Sequence, residues 1–208
     1  MSITTAFLVE QMQAYRLLDE KQLRQLAASA LPDDPRELAR DCVRRGWLTT
    51  WQVNQLFTGR GADLLLGSYL LLEKLGEGGM GAVFKAHNRK LGRIVALKLI
   101  RNERLASSQT AARFLREIRA AAVLDHPHIV HAFDAEKTER GLCLVMEYVE
   151  GTDLHHLVLE QGPLPIAEAV ACIRQAAVRR RARSRDQPPA VRRRARSRER
   201  RECQTRSR

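Results

Sequence analysis

The 208-residue sequence has few aromatic residues and no long apolar run, and each shortage excludes a class of protein. Aromatic side chains make up 5% of the chain and charged residues 29%, a composition typical of a strongly solvated surface. No stretch reaches the roughly 18 consecutive apolar residues of a membrane helix. The N-terminus also lacks the basic segment and apolar run of a secretory signal. The sequence therefore predicts a soluble, cytoplasmic protein without a membrane segment.

Cysteine is scarce and widely spaced. Cys42, Cys143, Cys172 and Cys203 form no C-x-x-C pair, which argues against a disulfide framework and against a structural zinc site. We expect no metal site and a reducing compartment. The hydrophobic fraction of 44% is nevertheless sufficient for a packed core, so wholesale disorder is excluded.

The net charge of +12 comes almost entirely from the C-terminal segment. Residues 179–208 contain 14 arginines and three acidic residues, a net charge of +11. The sequence VRRRARSR occurs twice around two prolines and offers little apolar surface, which predicts a disordered basic tail. Because such a tail neutralises phosphates, weak and non-specific nucleic-acid binding is one candidate function.

Residues 1–62 predict a small helical module, because three helix start signals occur there. Asp19 and Thr49 each precede a glutamine by three residues, and Asp34 precedes a proline and then a glutamate. Residues 17–26 and 47–56 share their apolar pattern, which indicates two related helical hairpins, although unrelated amphipathic helices explain the likeness equally well. The module carries no chemistry of its own, so a scaffold role as a docking surface is another candidate function.

Short apolar runs separated by glycines and charged turns begin near residue 64 and predict strands. One amphipathic helix is expected over residues 107–124, and two more are expected over residues 153–160 and 165–178. The predicted fold class is α+β, with an antiparallel sheet.

A glycine-rich segment carries the first chemical signal. LGEGGMGAV, residues 75–83, places glycines at 76, 78 and 81 between two predicted strands, whereas a dinucleotide fold places such glycines between a strand and a helix. A β-hairpin of this kind presents bare backbone N–H groups to phosphate oxygens. Lys98, in VALK on an apolar strand, and Glu117, on the predicted helix, form a candidate ion pair that directs the lysine towards phosphates.

Two further segments follow these elements in the chain, HPHIV (residues 126–130) and LVMEYVEGTDL (residues 144–154). The order of the segments is that of one protein family. Residues 68–178 resemble the N-terminal lobe, hinge and first C-lobe helices of a bacterial serine/threonine protein kinase. The helices before them resemble the N-terminal extension of planctomycete kinases. The resemblance implies a five-stranded antiparallel sheet with one helix, αC. It also implies that this lobe binds ATP and that the intact family acts on a protein substrate.

The resemblance also assigns residues to the nucleotide by their place in the family's motifs. Leu75, Val83 and Ala96 would enclose the adenine, and Met146 would be the gatekeeper. The backbone at Glu147 and Val149 would bond the adenine edge, and Asp153 would bond the ribose. Glu117 would hold Lys98, which would contact the α- and β-phosphates. The full implied set is Leu75, Gly76, Glu77, Gly78, Gly79, Met80, Gly81, Val83, Ala96, Lys98, Glu117, Met146, Glu147, Val149 and Asp153.

Three motifs of the family are missing from the sequence. They are the H-R-D-x-x-x-x-N loop, which orients the substrate hydroxyl and holds magnesium, the D-F-G aspartate and A-P-E. The resemblance therefore assigns no catalytic residue and no Mg²⁺ ligand, although the family uses Mg²⁺ with ATP. We expect weak ATP binding and negligible phosphoryl transfer.

The resemblance ends near Ala177, where the basic tail replaces the expected helix and loop. Out-of-frame reading of GC-rich DNA produces runs of Arg, Ala, Pro and Ser, so a frameshift or a premature end is expected. The second copy of VRRRARSR argues against this explanation, because the family has no such repeat. The DNA sequence beyond the codon for Ala177 decides whether the chain is a frameshifted gene product or a genuine short protein.

Overall fold

The computed structural model describes residues 3–79, 81–101, 112, 116 and 126–185, with residues 101 and 178–185 described by their backbone alone. The chain divides into two compact units. The first consists of Met1–Ala106 and Glu136–Tyr148, and the second of Ser107–Ala135 and Val149–Arg208.

Four helices form the N-terminal part of the first unit, each beginning at a side chain that accepts a hydrogen bond from the first turn. They are α1 (Thr5–Ala14), α2 (Glu20–Ala27), α3 (Pro35–Arg44) and α4 (Thr50–Phe57). The predicted starts at Asp19, Asp34 and Thr49 are confirmed, and Asp19 and Thr49 form reciprocal capping boxes. Capping satisfies backbone donors that have no partner within the helix, so the side chains fix where each helix begins.

The helices share one core with the start of the sheet. Buried leucines of all four helices lie in the same cluster as Leu64 and Leu70. The ring of Trp51, on α4, lies with its centroid 5.8 Å from that of Phe84. Residues 61–66, where the predicted module ends and before the predicted lobe begins, form a short 3₁₀ helix, Gly61–Leu64, followed by a strand. The helices are therefore packed on the sheet within this unit.

Among the described residues, one antiparallel sheet of six strands follows, where five were expected. The strands are β1 (Leu65–Leu66), β2 (Tyr69–Gly78), β3 (Gly81–Asn88), β4 (Arg93–Arg101), β5 (Ala132–Thr138) and β6 (Gly141–Met146). Their order is β1-β2-β3-β4-β6-β5. The additional strand is β1, which pairs with the first residues of β2 across a turn in which Gly67 has a φ of 57°.

Two helices of the second unit have both ends within the described residues, α5 (Leu154–Gln161) and α6 (Ile166–Arg185). The tail was expected to be disordered from residue 179, but α6 continues to Arg185. Arginine and alanine favour helix, and the first prolines after Val178 are Pro188 and Pro189, so local propensity supports the extension. Residues 186–208 lie outside the described residues, and the expected nucleic-acid binding of the tail stays a prediction.

The helix expected over residues 107–124 falls largely outside the described residues. Ala112 and Arg116 are described, and both are helical. The predicted turn at residues 126–130 is confirmed, with the Ile129 amide donating to the His126 carbonyl at 2.9 Å. Among the helices that the structure describes, none has the length and hydropathy of a transmembrane span.

Gln52 joins α4 to the sheet and provides a test of this packing. Its side chain is 1% exposed; Nε2 donates to the Leu71 carbonyl at 2.8 Å, and Oε1 accepts from the Thr49 amide at 2.9 Å. Gln52→Ala should lower the free energy of unfolding by about 1–3 kcal/mol, because a buried carbonyl loses its donor. Chemical denaturation of the whole chain measures the change.

Gln22 provides the matched control for that substitution. It forms the same capping box with Asp19 on α2, and no bond from its side chain to the sheet occurs among the described residues. Gln22→Ala therefore removes the cap alone, and the difference between the two variants measures what Gln52 contributes beyond its cap, through its burial and its bond to the Leu71 carbonyl. Equal losses of stability in the two variants would show that the bond to β2 contributes nothing.

Candidate nucleotide-binding site

The glycine-rich segment forms the hairpin between β2 and β3. Gly78 pairs with Gly81, and the turn between them contains Gly79 and Met80, the latter outside the described residues. Gly81 has a φ of 151°, and a Cβ built there would lie 1.9 Å from the Leu99 carbonyl oxygen of β4. Position 81 therefore requires glycine for the strands to meet.

Gly76 and Gly78 have a different environment. A Cβ built on either residue meets no atom within 4 Å, and both residues are exposed. Neither glycine is required by packing in the free protein. Their lack of a side chain instead leaves the backbone of β2 accessible to a ligand, as a phosphate cradle requires.

A row of paired residues runs across four strands and contains Lys98. Gly76 on β2 pairs with Val83 on β3, Val83 pairs with Lys98 on β4, and Lys98 pairs with Leu144 on β6. Neighbouring strands lie about 4.8 Å apart, and residues directly opposite each other present their side chains on the same face. The Lys98 side chain therefore emerges between Val83 and Leu144, two strands from Gly76.

A second row lies two residues further along the strands. Lys85 pairs with Ala96, and Ala96 pairs with Met146. Because side chains alternate between faces along a strand, this row shares the face of the first. We call this surface the Lys98 face; its members are Val83, Lys85, Ala96, Lys98, Leu144 and Met146.

The two faces of the sheet differ in burial. Phe84, Leu97 and Val145 form the intervening row on the opposite face and are 7%, 0% and 1% exposed. On the Lys98 face, Ala96 is buried, whereas Lys98 and Met146 are half-buried. Around Lys98 the apolar residues are therefore closely packed on the opposite side, whereas one row beyond Lys98 its own face also becomes buried, at Ile100 (4% exposed) and Leu142 (2% exposed).

Several predicted site residues lie at the margins of this face. Leu75 sits at a register shift between β2 and β3 and is 44% exposed. The Glu77 carboxylate accepts a hydrogen bond from Lys74 Nζ, and Glu147 is exposed directly after β6. Glu117 lies outside the described residues, so its pairing with Lys98 stays a prediction.

Val149 and Asp153 belong to the second unit. Val149 is exposed. Asp153 caps α5, where Oδ1 accepts from the His156 amide at 2.9 Å and Oδ2 lies 2.8 Å from His156 Nδ1. The backbone hydrogen bond from His156, followed by that residue's side-chain bond, lowers the pKa of the Asp153 carboxyl. Both carboxylate oxygens of Asp153, the residue expected to bond the ribose, are thus engaged with His156 at the start of α5.

Sequence reasoning missed two residues of the Lys98 face. Leu144 lies opposite Lys98, and Lys85 lies opposite Ala96 with its Nζ 4.5 Å from the centroid of the Tyr148 ring. Strand alternation provides the signal for both, because Leu144 precedes Met146 by two positions and Lys85 follows Val83 by two.

Comparison with known proteins identifies the family. A family model described as the protein kinase domain matches residues 69–178, which include the hairpin, Lys98 and β6. This chain belongs to the protein kinase family. The expected kinase-like α+β fold is confirmed, while the likeness of the N-terminal helices to planctomycete kinases stays a prediction.

Bacterial serine/threonine kinases are among the relatives of this kinase-family chain. It is 41% identical over 102 residues to the serine/threonine-protein kinase pkn3 of Myxococcus xanthus. The aligned region covers 49% of this chain and 19% of pkn3. The chain is 38% identical over 109 residues to the serine/threonine-protein kinase PrkC of Bacillus subtilis, covering 52% of this chain and 17% of that protein. The chain thus spans about a fifth or less of the length of these curated relatives.

A solved kinase structure resembles the same region. A crystal structure of a mutant of the Mycobacterium tuberculosis PknI kinase domain superposes with a TM-score of 0.53 at 28% identity. The match covers 57% of this chain and 49% of the PknI chain. The fold similarity is therefore confined to about half of each protein.

Proposed function

We propose that this chain binds ATP on the Lys98 face, as the nucleotide-binding lobe of a serine/threonine protein kinase. The observation that carries the proposal is the strand register that joins Gly76, Val83, Lys98 and Leu144 in one row. This row combines an accessible glycine backbone, a cation and an apolar wall within three strand spacings. A nucleoside triphosphate needs all three properties at its binding site.

Each part of the row suits one part of the nucleotide. The exposed backbone at Gly76 and Gly78 provides N–H donors for phosphate oxygens, and the Lys98 ammonium pairs with the α- and β-phosphates. Val83 and Ala96, with Leu75 at the margin, provide apolar surface for the adenine, and Met146 bounds it. No heavy atom lies within 4 Å of a Cβ built on Gly76 or Gly78, so the space beside this backbone is open to a phosphate group.

The remaining assignments rest on the resemblance to the family. Glu117 would hold Lys98, the backbone at Glu147 and Val149 would bond the adenine edge, and Asp153 would bond the ribose. Bound ATP supplies a transferable γ-phosphoryl group. Because the sequence contains no H-R-D or D-F-G motif, no residue is assigned to orient an acceptor hydroxyl or to hold Mg²⁺. We therefore propose nucleotide binding without turnover for the 208-residue chain.

A paired assay of binding and transfer tests this function. The purified chain should bind ATP saturably, yet it should transfer no radiolabelled γ-phosphate to itself or to a general kinase substrate such as myelin basic protein, since removing a catalytic base and metal ligands costs several orders of magnitude in rate. Lys98→Met is the control for contaminating kinases. Transfer by the parent chain that this variant abolishes would contradict the proposed lack of turnover.

A further inference from the structure

An apolar groove lies between α3 and α4, on the helical part of the first unit. Its volume is about 560 Å³. Ala39 and Val43 of α3 and Val53 and Phe57 of α4 provide its apolar lining. Ala39 is buried and the other three side chains are half-buried, so the groove presents apolar surface that the fold leaves partly uncovered.

The α3 side of this groove is strongly basic. Arg36, Arg40 and Arg44 line it at intervals of four residues, one on each successive turn of the helix. Arg44 is paired with Asp41 at 2.7 Å. Within the described residues, neither Arg36 nor Arg40 forms an ion pair, and both are exposed.

The α4 side of the groove carries no charge. Its polar lining residues are Thr50 and Asn54. Asp41 does not line the groove, and its carboxylate forms ion pairs with Arg44 and Arg45. The side-chain hydrogen bond from Arg44 is the main cause that lowers the pKa of the Asp41 carboxyl. The groove therefore presents an apolar floor with positive charge along one side.

We propose that this groove binds an amphipathic helix of a partner protein that carries acidic residues one turn apart. Helices bind to grooves of this kind through apolar residues on one face, and a row of carboxylates on the adjoining face complements the arginine row. At 1.5 Å per residue, Arg36 and Arg44 are separated by about 12 Å along α3, which matches carboxylates on three successive turns of a partner helix.

The charge of the groove argues against the chain's own C-terminal segment as the occupant. Residues 179–208 carry a net charge of +11, and like charges repel at such an interface. A partner helix with glutamates has the complementary charge. The proposal rests on residues of α3 and α4 alone, so it is independent of ATP binding on the Lys98 face.

A peptide-binding experiment with the full chain tests the proposal. The probe is a synthetic amphipathic helix with a glutamate on each successive turn of one face and leucines on the adjoining face. Fluorescence anisotropy should show that Arg36→Glu/Arg40→Glu lowers its affinity about tenfold or more, since attraction is replaced by repulsion. Arg36→Gln/Arg40→Gln should give a smaller loss and serves as the test if the reversed variant does not fold.

The matched control is Lys21→Glu/Arg24→Glu on α2, which makes the same change in net charge outside the groove. It should leave the affinity within about twofold of the parent chain, because long-range effects between exposed charges are screened by salt. Equal losses in the two variants, or unchanged binding in both, would assign the peptide to general charge or to the basic tail and overturn the proposal. A fall in duplex DNA binding confined to Arg36→Glu/Arg40→Glu, with peptide binding unchanged, would also overturn it.

Discussion

Alanine at position 81 should destabilise the β2–β3 hairpin, whereas alanine at position 76 or 78 should leave the fold intact. A Cβ at Gly81 would lie 1.9 Å from the backbone oxygen of Leu99, and the residue has a φ of 151°. Strain of this kind costs about 1–3 kcal/mol from the backbone conformation alone, and separating β3 from β4 adds to it. We expect Gly81→Ala to lose about 2–4 kcal/mol of stability and all measurable ATP binding.

Gly76→Ala and Gly78→Ala are the matched controls. Because nothing lies within 4 Å of their built Cβ atoms, chemical denaturation should place both close to the parent chain. Their ATP affinity should nevertheless fall, since a Cβ there occupies the space proposed for phosphate. The three glycines of one motif are thus predicted to separate into one required by the sheet and two required by the ligand. Identical stability in all three variants would contradict this separation.

Methionine at position 98 should remove the phosphate-dependent part of nucleotide binding without altering the fold. Methionine keeps much of the apolar length of a half-buried lysine and loses the ammonium. A hydrogen bond to a charged group contributes about 1.5–3 kcal/mol, so the affinity for ATP should fall about 10–100-fold. Titration calorimetry should show no comparable change for adenosine, which has no phosphates for Lys98 to contact.

Lys90→Met controls for the loss of one positive charge. Lys90 is exposed in the turn between β3 and β4, at the end of the hairpin opposite Gly81. This variant should bind ATP as the parent chain does. If Lys98→Met and Lys90→Met weaken ATP to the same degree, then Lys98 acts through net charge and has no specific place at the phosphates.

Features that depend on neighbouring residues in the chain were predictable from sequence. Asp19, Asp34 and Thr49 act as helix caps within three residues, so the sequence pattern contains the whole interaction. The glycine hairpin was predictable for the same reason. The order of kinase motifs then placed Val83, Ala96, Lys98 and Met146 together, and the observed register brings them onto one face.

Features that depend on strand register or on packing between distant segments were not predictable. Register shifts interrupt the pairing of β2 with β3 between Leu71 and Glu73 and between Lys74 and Gly76, and no local pattern specifies them. The bond from Gln52 to the Leu71 carbonyl joins residues whose proximity follows only from packing α4 on the sheet. The α3–α4 groove could not be predicted from sequence for the same reason, although the four-residue spacing of its arginines is evident there.

Amide hydrogen exchange with and without ATP tests the central claim most directly, because it locates the nucleotide on the chain. The basic tail, with its net charge of +11, attracts any polyphosphate, so affinity alone does not identify the site. We predict that ATP slows exchange in residues 76–83 and 96–98 and that inorganic tripolyphosphate at the same concentration does so much less. Protection confined to residues 186–208, or produced equally by tripolyphosphate, would contradict the account.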